Sequence, residues 1–172
     1  MLATVLQGES RTHTPEIVLR IQIELSFGEN VLNRTRHRKP SELAILDSIC
    51  EEINKAKQIT DEQKAKLSIA FGKRFENALQ ALKKWRVKRY MFKPSQRVVW
   101  IVVGRERDYQ IIPGADFCTC DDFYFRVVDR EVHLCYHLIA QKLAEALGEY
   151  DTIEEYDDLY ETLMREWRQS IR

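Results

Sequence analysis

Apolar and polar residues alternate between Glu16 and Gly28: Ile17, Leu19, Ile21, Ile23, Leu25 and Phe27 fall on one face, and Arg20, Gln22, Glu24 and Ser26 on the other. A period of two marks a half-buried β-strand, and Ala3 to Gln7 is its expected companion. A lone hairpin is marginal in water, so this extra N-terminal strand or hairpin is expected to join another sheet, cover the core, or pair across a homo-oligomer. The polar stretch Arg34 to Pro40 reads as a linker, or as an arm that contacts phosphates.

After Pro40 the period changes. Leu43, Leu46, Ile49, Cys50 and Ile53 recur at helical spacing behind an expected N-cap, Ser41. Thr60 opens a second helix and Gln63 completes a capping box; Leu67, Ala70, Phe71, Ala78, Leu79 and Leu82 are its apolar positions, with Gly72 breaking or kinking it. This antiparallel helical pair needs a sheet to cover it. Arg86 to Lys93, a turn at Pro94-Ser95, Arg97 to Val103, a turn through Gly104, and Tyr109 to Ile112 predict a three-stranded antiparallel meander with Val98 to Val103 at its centre. Pro113-Gly114 ends the third strand. Asp121 to Val128 predicts a short helix or ordered loop with its aromatics turned inward, followed by a polar turn at Asp129-Arg130-Glu131. Tyr136 to Leu147 predicts a helix stopped by Gly148, and Thr152 to Ile171 a last helix striped by Tyr156, Leu159, Tyr160, Leu163 and Trp167. The fold class is α+β, divided into an N-terminal strand and linker (1–40), a central domain (41–148) and a C-terminal amphipathic helix (149–172).

A chain of 172 residues, 44% apolar and 31% charged, supports one soluble domain with a real core. No stretch matches a membrane span or a secretory leader, so the cytoplasm, or the nucleus of a eukaryotic cell, is the expected compartment. Net charge is zero, but it is unevenly spread. Residues 73–107 hold eleven Lys or Arg against two Glu, whereas residues 121–172 hold six against thirteen acidic residues. The acidic end either lies far from the basic part or lies across it.

Candidate chemistry concentrates in Cys118-Thr119-Cys120 and Cys135-Tyr136-His137, with fourteen residues between the two triplets. Three thiols and an imidazole complete a tetrahedral set for Zn²⁺ and leave no position for water, which predicts one structural zinc per chain rather than a catalytic one. Iron and cobalt accept similar ligands. Side chains two apart share a side only in extended backbone, so Cys118 and Cys120 are expected at a strand end or turn, and Cys135 and His137 on an irregular junction before a helix. His133 is the alternative fourth ligand; a CxC redox dithiol or simply buried cysteines are the plainer readings. Cys50 reads as a buried packing residue.

The CxC, gap, CxH pattern resembles the SWIM zinc-finger family, as do Phe123 and Phe125 after the first pair and Leu138, Ile139 and Ala140 after the second. Ile59-Thr60-Asp61-Glu62, Phe71-Gly72, Ala78-Leu79, Pro94-Ser95 and Val98 to Gly104 extend the resemblance to the SWIM subunit of Shu-type recombination complexes and its archaeal relatives, over roughly residues 43 to 147. The chain departs from that group at Asp121-Asp122, where Pro-Ala is usual, and at Tyr136, where Lys is usual. The resemblance implies a CxC…CxH zinc knot formed by Cys118, Cys120, Cys135 and His137, and a non-catalytic adaptor role in homologous recombination and DNA repair. Its implied partner is a RecA/RadA-type recombinase paralogue, with DNA as a second partner.

Two further surfaces are candidates. Lys83, Lys84, Arg86, Lys88, Arg89, Lys93 and Arg97 flank the first hairpin among Trp85, Tyr90 and Phe92, a mixture suited to nucleic acid, although the aromatics serve a core equally well. Tyr156, Leu159, Leu163 and Trp167 could meet a protein partner, although packing is the plainer reading of such a stripe. The competing function is a stand-alone nucleic-acid-binding or regulatory protein in which zinc serves only the fold. No phosphate-binding glycine loop, nucleophile elbow or deaminase motif occurs, so the sequence gives no basis for an enzyme.

Overall fold

The computed structural model describes residues 41–104, 107–127 and 134–169, all within the unit Pro40–Arg172; the N-terminal strand, its companion, the linker before Pro40 and His133 lie outside them. The first helix, α1 (Glu42–Ala56), starts where the Ser41 hydroxyl accepts the Ala44 N–H at 3.2 Å. The second, α2 (Asp61–Phe71), starts with the capping box of Thr60 and Gln63. At Gly72 the backbone takes φ 52° and ψ −126°, which separates α2 from α3 (Lys73–Lys83). A side chain at this φ would be strained, so glycine makes two helices of one apolar pattern.

The strands follow as β1 (Val87–Lys93), β2 (Arg97–Val103), β3 (Asp108–Ile112) and β4 (Phe117–Cys118). Next come a single π-helical turn at Phe123–Val127, α4 (Tyr136–Leu147), β5 (Asp151–Tyr156) and α5 (Asp157–Gln169). The sheet has the order β4-β3-β2-β1-β5, with β1 and β5 parallel and the other neighbours antiparallel. It is therefore a five-stranded mixed sheet, where the hydrophobic pattern predicts three antiparallel strands.

The added edge strand corrects the expected last helix, which begins at Asp157 and not at Thr152. Asp151 to Tyr156 alternates half-buried and exposed residues, and it pairs with β1 in the register Lys88 opposite Asp151 to Lys93 opposite Tyr156. Tertiary pairing outweighs the helical spacing of Tyr156 with Leu159 and Tyr160. A second correction concerns the aromatics after Cys120: Phe123 packs against the core, but Tyr124 and Phe125 face solvent with 67% and 62% exposure.

Both faces of the sheet are covered. On one, Val87, Trp100, Val102, Ile111 and Cys118 join α1 to α4 in the main core. On the other, Phe92, Val99 and Ile101 meet Met164 and Trp167 of α5. Val99 to Val102 is buried throughout because β2 is central and covered twice. Ring contacts anchor the second layer: Trp167 stands edge-on to Tyr90 at 4.9 Å and Tyr160 to Phe92 at 5.0 Å.

Phe92 is fully buried under α5. Phe92→Ala should therefore destabilise the fold by roughly 3–5 kcal/mol in urea unfolding. A loss below about 1 kcal/mol would show that the layer does not pack as described.

Candidate metal centre

Four ligand-type side chains converge where the sheet edge meets α4. The Sγ atoms of Cys118, Cys120 and Cys135 and a ring nitrogen of His137 all lie within 4.8 Å of one another, and all four residues are buried. Each half of the set is held by its own backbone device. Cys118 ends β4 opposite Ile111. The ladder runs one residue further, since the Thr119 N–H donates to the Gln110 carbonyl at 3.1 Å and the Gln110 N–H donates to Thr119 Oγ1 at 3.0 Å. This keeps residues 118 to 120 extended, so both thiols point to one side. The Phe123 N–H then donates to Cys120 Sγ at 3.2 Å, the kind of outer contact that orients a thiolate ligand.

The second half differs from the junction that its spacing predicts. Cys135 is the extended N-cap of α4 (φ −78°, ψ 164°) and His137 already lies in the first helical turn. The change of backbone conformation at the cap brings the two side chains together. The helix N-terminus, with the Leu138 N–H, favours the thiolate form of Cys135 against its burial.

Arg74 of α3 fixes this half from behind. Its guanidinium donates to both Glu42 carboxylate oxygens, at 2.8 and 2.7 Å, and to the Leu134 carbonyl at 2.7 Å, immediately before Cys135. Glu42 and burial act in opposite directions on Arg74, and the hydrogen bond to Glu42 prevails, raising the guanidinium's affinity for its proton. Lys142 of α4 pairs with Asp47 of α1 at 3.0 Å and with Asp116, before β4, at 3.2 Å. Helices and sheet end are thus tied together on both sides of the cluster.

His137 lies between two rings, Tyr109 at 4.1 Å and Tyr136 at 3.8 Å between centroids. Gly104 admits the Tyr109 ring: a Cβ there would come within 2.5 Å of it and 2.3 Å of the Arg107 carbonyl. Neither His137 nitrogen has a hydrogen-bond partner although both are buried. An imidazole buried without partners is costly, and a metal ion would satisfy it. The thiols make the same case. Burial pushes Cys118 and Cys135 up, whereas hydrogen bonds from Cys118 and then Cys135 hold Cys120 well below the usual thiol range. Three sulfurs and one imidazole, closed off from solvent, suit zinc before harder ions. Cys50 lies elsewhere, half-buried against the core, its thiol pushed up to about 12 by burial and by Asp47.

The other candidate residues do not gather here. Lys88, Lys93 and Arg97 are paired with the acidic C-terminal stretch: Lys88 with Asp151, Lys93 with Glu154 at 2.6 Å, and Arg97 with Asp157 at 3.5 Å. Arg97 also lies 3.8 Å above the Tyr160 ring, and Ser95 donates to Asp157 through its N–H and its hydroxyl, which holds that carboxyl below its ordinary range. The acidic end therefore lies across the basic hairpin. Lys83, Lys84, Arg86 and Arg89 make no ion pair with a described residue. In the C-terminal stripe, Trp167 is buried and Leu163 packs beside it, while Tyr156 and Leu159 stay 72% and 43% exposed. The residues that the sequence reading passes over are Arg74 and Glu42, 32 positions apart, and Tyr109, 28 before His137; no local pattern links them to the cysteines.

Comparison with known proteins agrees with this geometry. The chain is 36% identical over 99 residues to an Archaeoglobus fulgidus protein whose name, "Uncharacterized protein", assigns no role; the match covers 58% of this chain and 78% of that one. The chain belongs to the family of that archaeal protein. It is also 28% identical over 130 residues to the Dictyostelium discoideum protein named "Zinc finger SWIM domain-containing protein 7 homolog", covering 74% of this chain and 83% of the relative. That distant homologue and the buried Cys/His cluster together support metal binding, with zinc as the ion. No family model and no solved structure matches the chain. Among the described residues no helix is long and apolar enough to cross a membrane.

Two outcomes are expected. Metal binding must displace protons from thiols that burial holds protonated, so apparent zinc affinity should rise with pH between about 6 and 8 and release protons measurable in calorimetry; a pH-independent affinity would contradict the ligand set. Arg74→Met should lower zinc affinity about ten-fold or more, within the range found for outer contacts of metal ligands. Unchanged affinity in competition with a chromophoric chelator would show that the Glu42–Arg74–Leu134 contact does not position Cys135.

Proposed function

We propose that the chain is a SWIM-type zinc domain with one structural Zn²⁺ held by Cys118, Cys120, Cys135 and His137, acting as a non-catalytic adaptor in homologous recombination. The closed ligand set carries this reading: four buried protein donors within 4.8 Å leave no vacancy for a substrate or a reacting water, so the ion's work is to hold the sheet end against α4. The name of the Dictyostelium relative supports the SWIM assignment. The partner, a RecA/RadA-type paralogue, is inferred from resemblance in sequence to Shu-type SWIM subunits. The exposed Tyr156 and Leu159, at the junction of β5 and α5, are the apolar side chains of the C-terminal stripe left free to meet it.

The charge arrangement favours an adaptor over a stand-alone nucleic-acid binder, because three of the seven basic candidates are paired within the chain, Lys88 and Lys93 with β5 and Arg97 with the start of α5. The alternative rests on the four that remain, Lys83, Lys84, Arg86 and Arg89. Leu159→Asp should abolish co-purification with a RadA-type paralogue while leaving the melting temperature unchanged, since Leu159 is partly exposed. If the chain instead binds single-stranded DNA alone, with log affinity falling at a slope of roughly −3 against log salt, as four phosphate contacts would give, and Leu159→Asp leaves partner capture intact, the adaptor reading fails.

A further inference from the structure

A cleft of about 390 Å³ opens between α3 and the sheet, and its wall includes Tyr109 and Tyr136, the two rings packed against His137. Asn77 and Gln80, three residues apart on α3 and so on one face of it, line the cleft with Arg86. The described lining contains no carboxylate. The side chains of Asn77, Gln80 and Arg86 make no hydrogen bond or ion pair with any described residue, and the backbone N–H and carbonyl of Arg86 are already used, by Ala81 and Val103. The Tyr136 phenol, at the same wall, is a hydrogen-bond donor.

One guanidinium, two phenols and two carboxamides around a single cleft form a donor-rich set with one positive charge and no negative one. Such a set is complementary to an oxyanion, and a guanidinium fork matches two of its oxygens at once. The donors outnumber what two carboxylate oxygens would use, which favours the three terminal oxygens of a phosphate monoester. The volume exceeds that of a phosphate ion and falls in the range of roughly 300–1,000 Å³ typical of small-molecule sites. We propose that this cleft binds a small phosphate-bearing ligand, its oxyanion on Arg86 and Tyr136 and its further polar groups on Asn77 and Gln80. Because the tyrosine wall also packs on His137, an occupied cleft holds that ligand residue in place and slows loss of the metal. The inference goes beyond the adaptor reading and does not depend on it.

The test is calorimetric titration of the zinc-loaded full chain with inorganic phosphate, adenosine 5′-monophosphate and succinate at constant ionic strength, beside Arg86→Gln and Gln80→Ala. Phosphate and the mononucleotide should bind saturably and succinate should not; Arg86→Gln should weaken binding by about ten-fold or more, as loss of a charge-assisted hydrogen bond does. Tighter binding of the nucleotide than of phosphate would assign the ligand an organic body, and equal binding would assign free phosphate. Either anion should also slow zinc transfer to a chelator in the wild type and not in Arg86→Gln. Should Arg86→Gln fail to fold, Gln80→Ala, on the exposed face of α3, must show the weakening. Absence of saturable binding, equal binding of succinate, or affinities unchanged in the variants would overturn the proposal.

Discussion

Bringing three thiols and an imidazole within 4.8 Å of one another in a buried site is the constraint on which the rest of this architecture depends. Without an ion, that arrangement leaves a buried imidazole with neither nitrogen hydrogen-bonded, which is a cost, and two thiols that burial keeps from ionising. With an ion, the same groups become a cross-link between β4 and α4. The parts of the fold nearest the cluster serve its geometry. The Thr119–Gln110 ladder keeps the first pair extended, the N-cap of α4 turns the second pair inward, and the Arg74 fork holds the carbonyl one residue before Cys135.

The second organising contact is electrostatic. An acidic edge strand lies beside a basic one in parallel, and the opposite charges of β1 and β5 meet side by side. Exposed pairs of this kind add little stability individually. Their larger effect is on which surface is left over, since they remove Lys88, Lys93 and Arg97 from the cations available to a polyanion and leave Lys83, Lys84, Arg86 and Arg89. The α5 layer, held on the opposite sheet face by Trp167 and Met164, gives β2 its second apolar cover.

What the sequence made legible follows from how local each signal is. Ser41, Thr60 with Gln63, and Gly148 are caps whose physics acts within four residues, and α1, α2 and α4 begin or end at them. The clustering of Cys118, Cys120, Cys135 and His137 was legible because metal chemistry admits few residue types and spacings. The strand at Asp151 to Tyr156 was not, because its acidic alternation acquires meaning only beside Lys88 and Lys93, more than 60 positions away. The inward orientation expected of Tyr124 and Phe125 failed for a related reason. Their turn is fixed by Cys120, whose carbonyl accepts the Tyr124 N–H, and not by burial of their own rings. Arg74 and Tyr109 reach the centre only through tertiary structure.

The most direct test of the account is metal content by elemental analysis of the full chain purified without added metal, with Cys135→Ser beside it. The account predicts one zinc per chain in the wild type, lost in the variant together with ordered structure around β4 and α4. Wild-type protein without metal, in which all four thiols titrate freely while the fold persists, would contradict it.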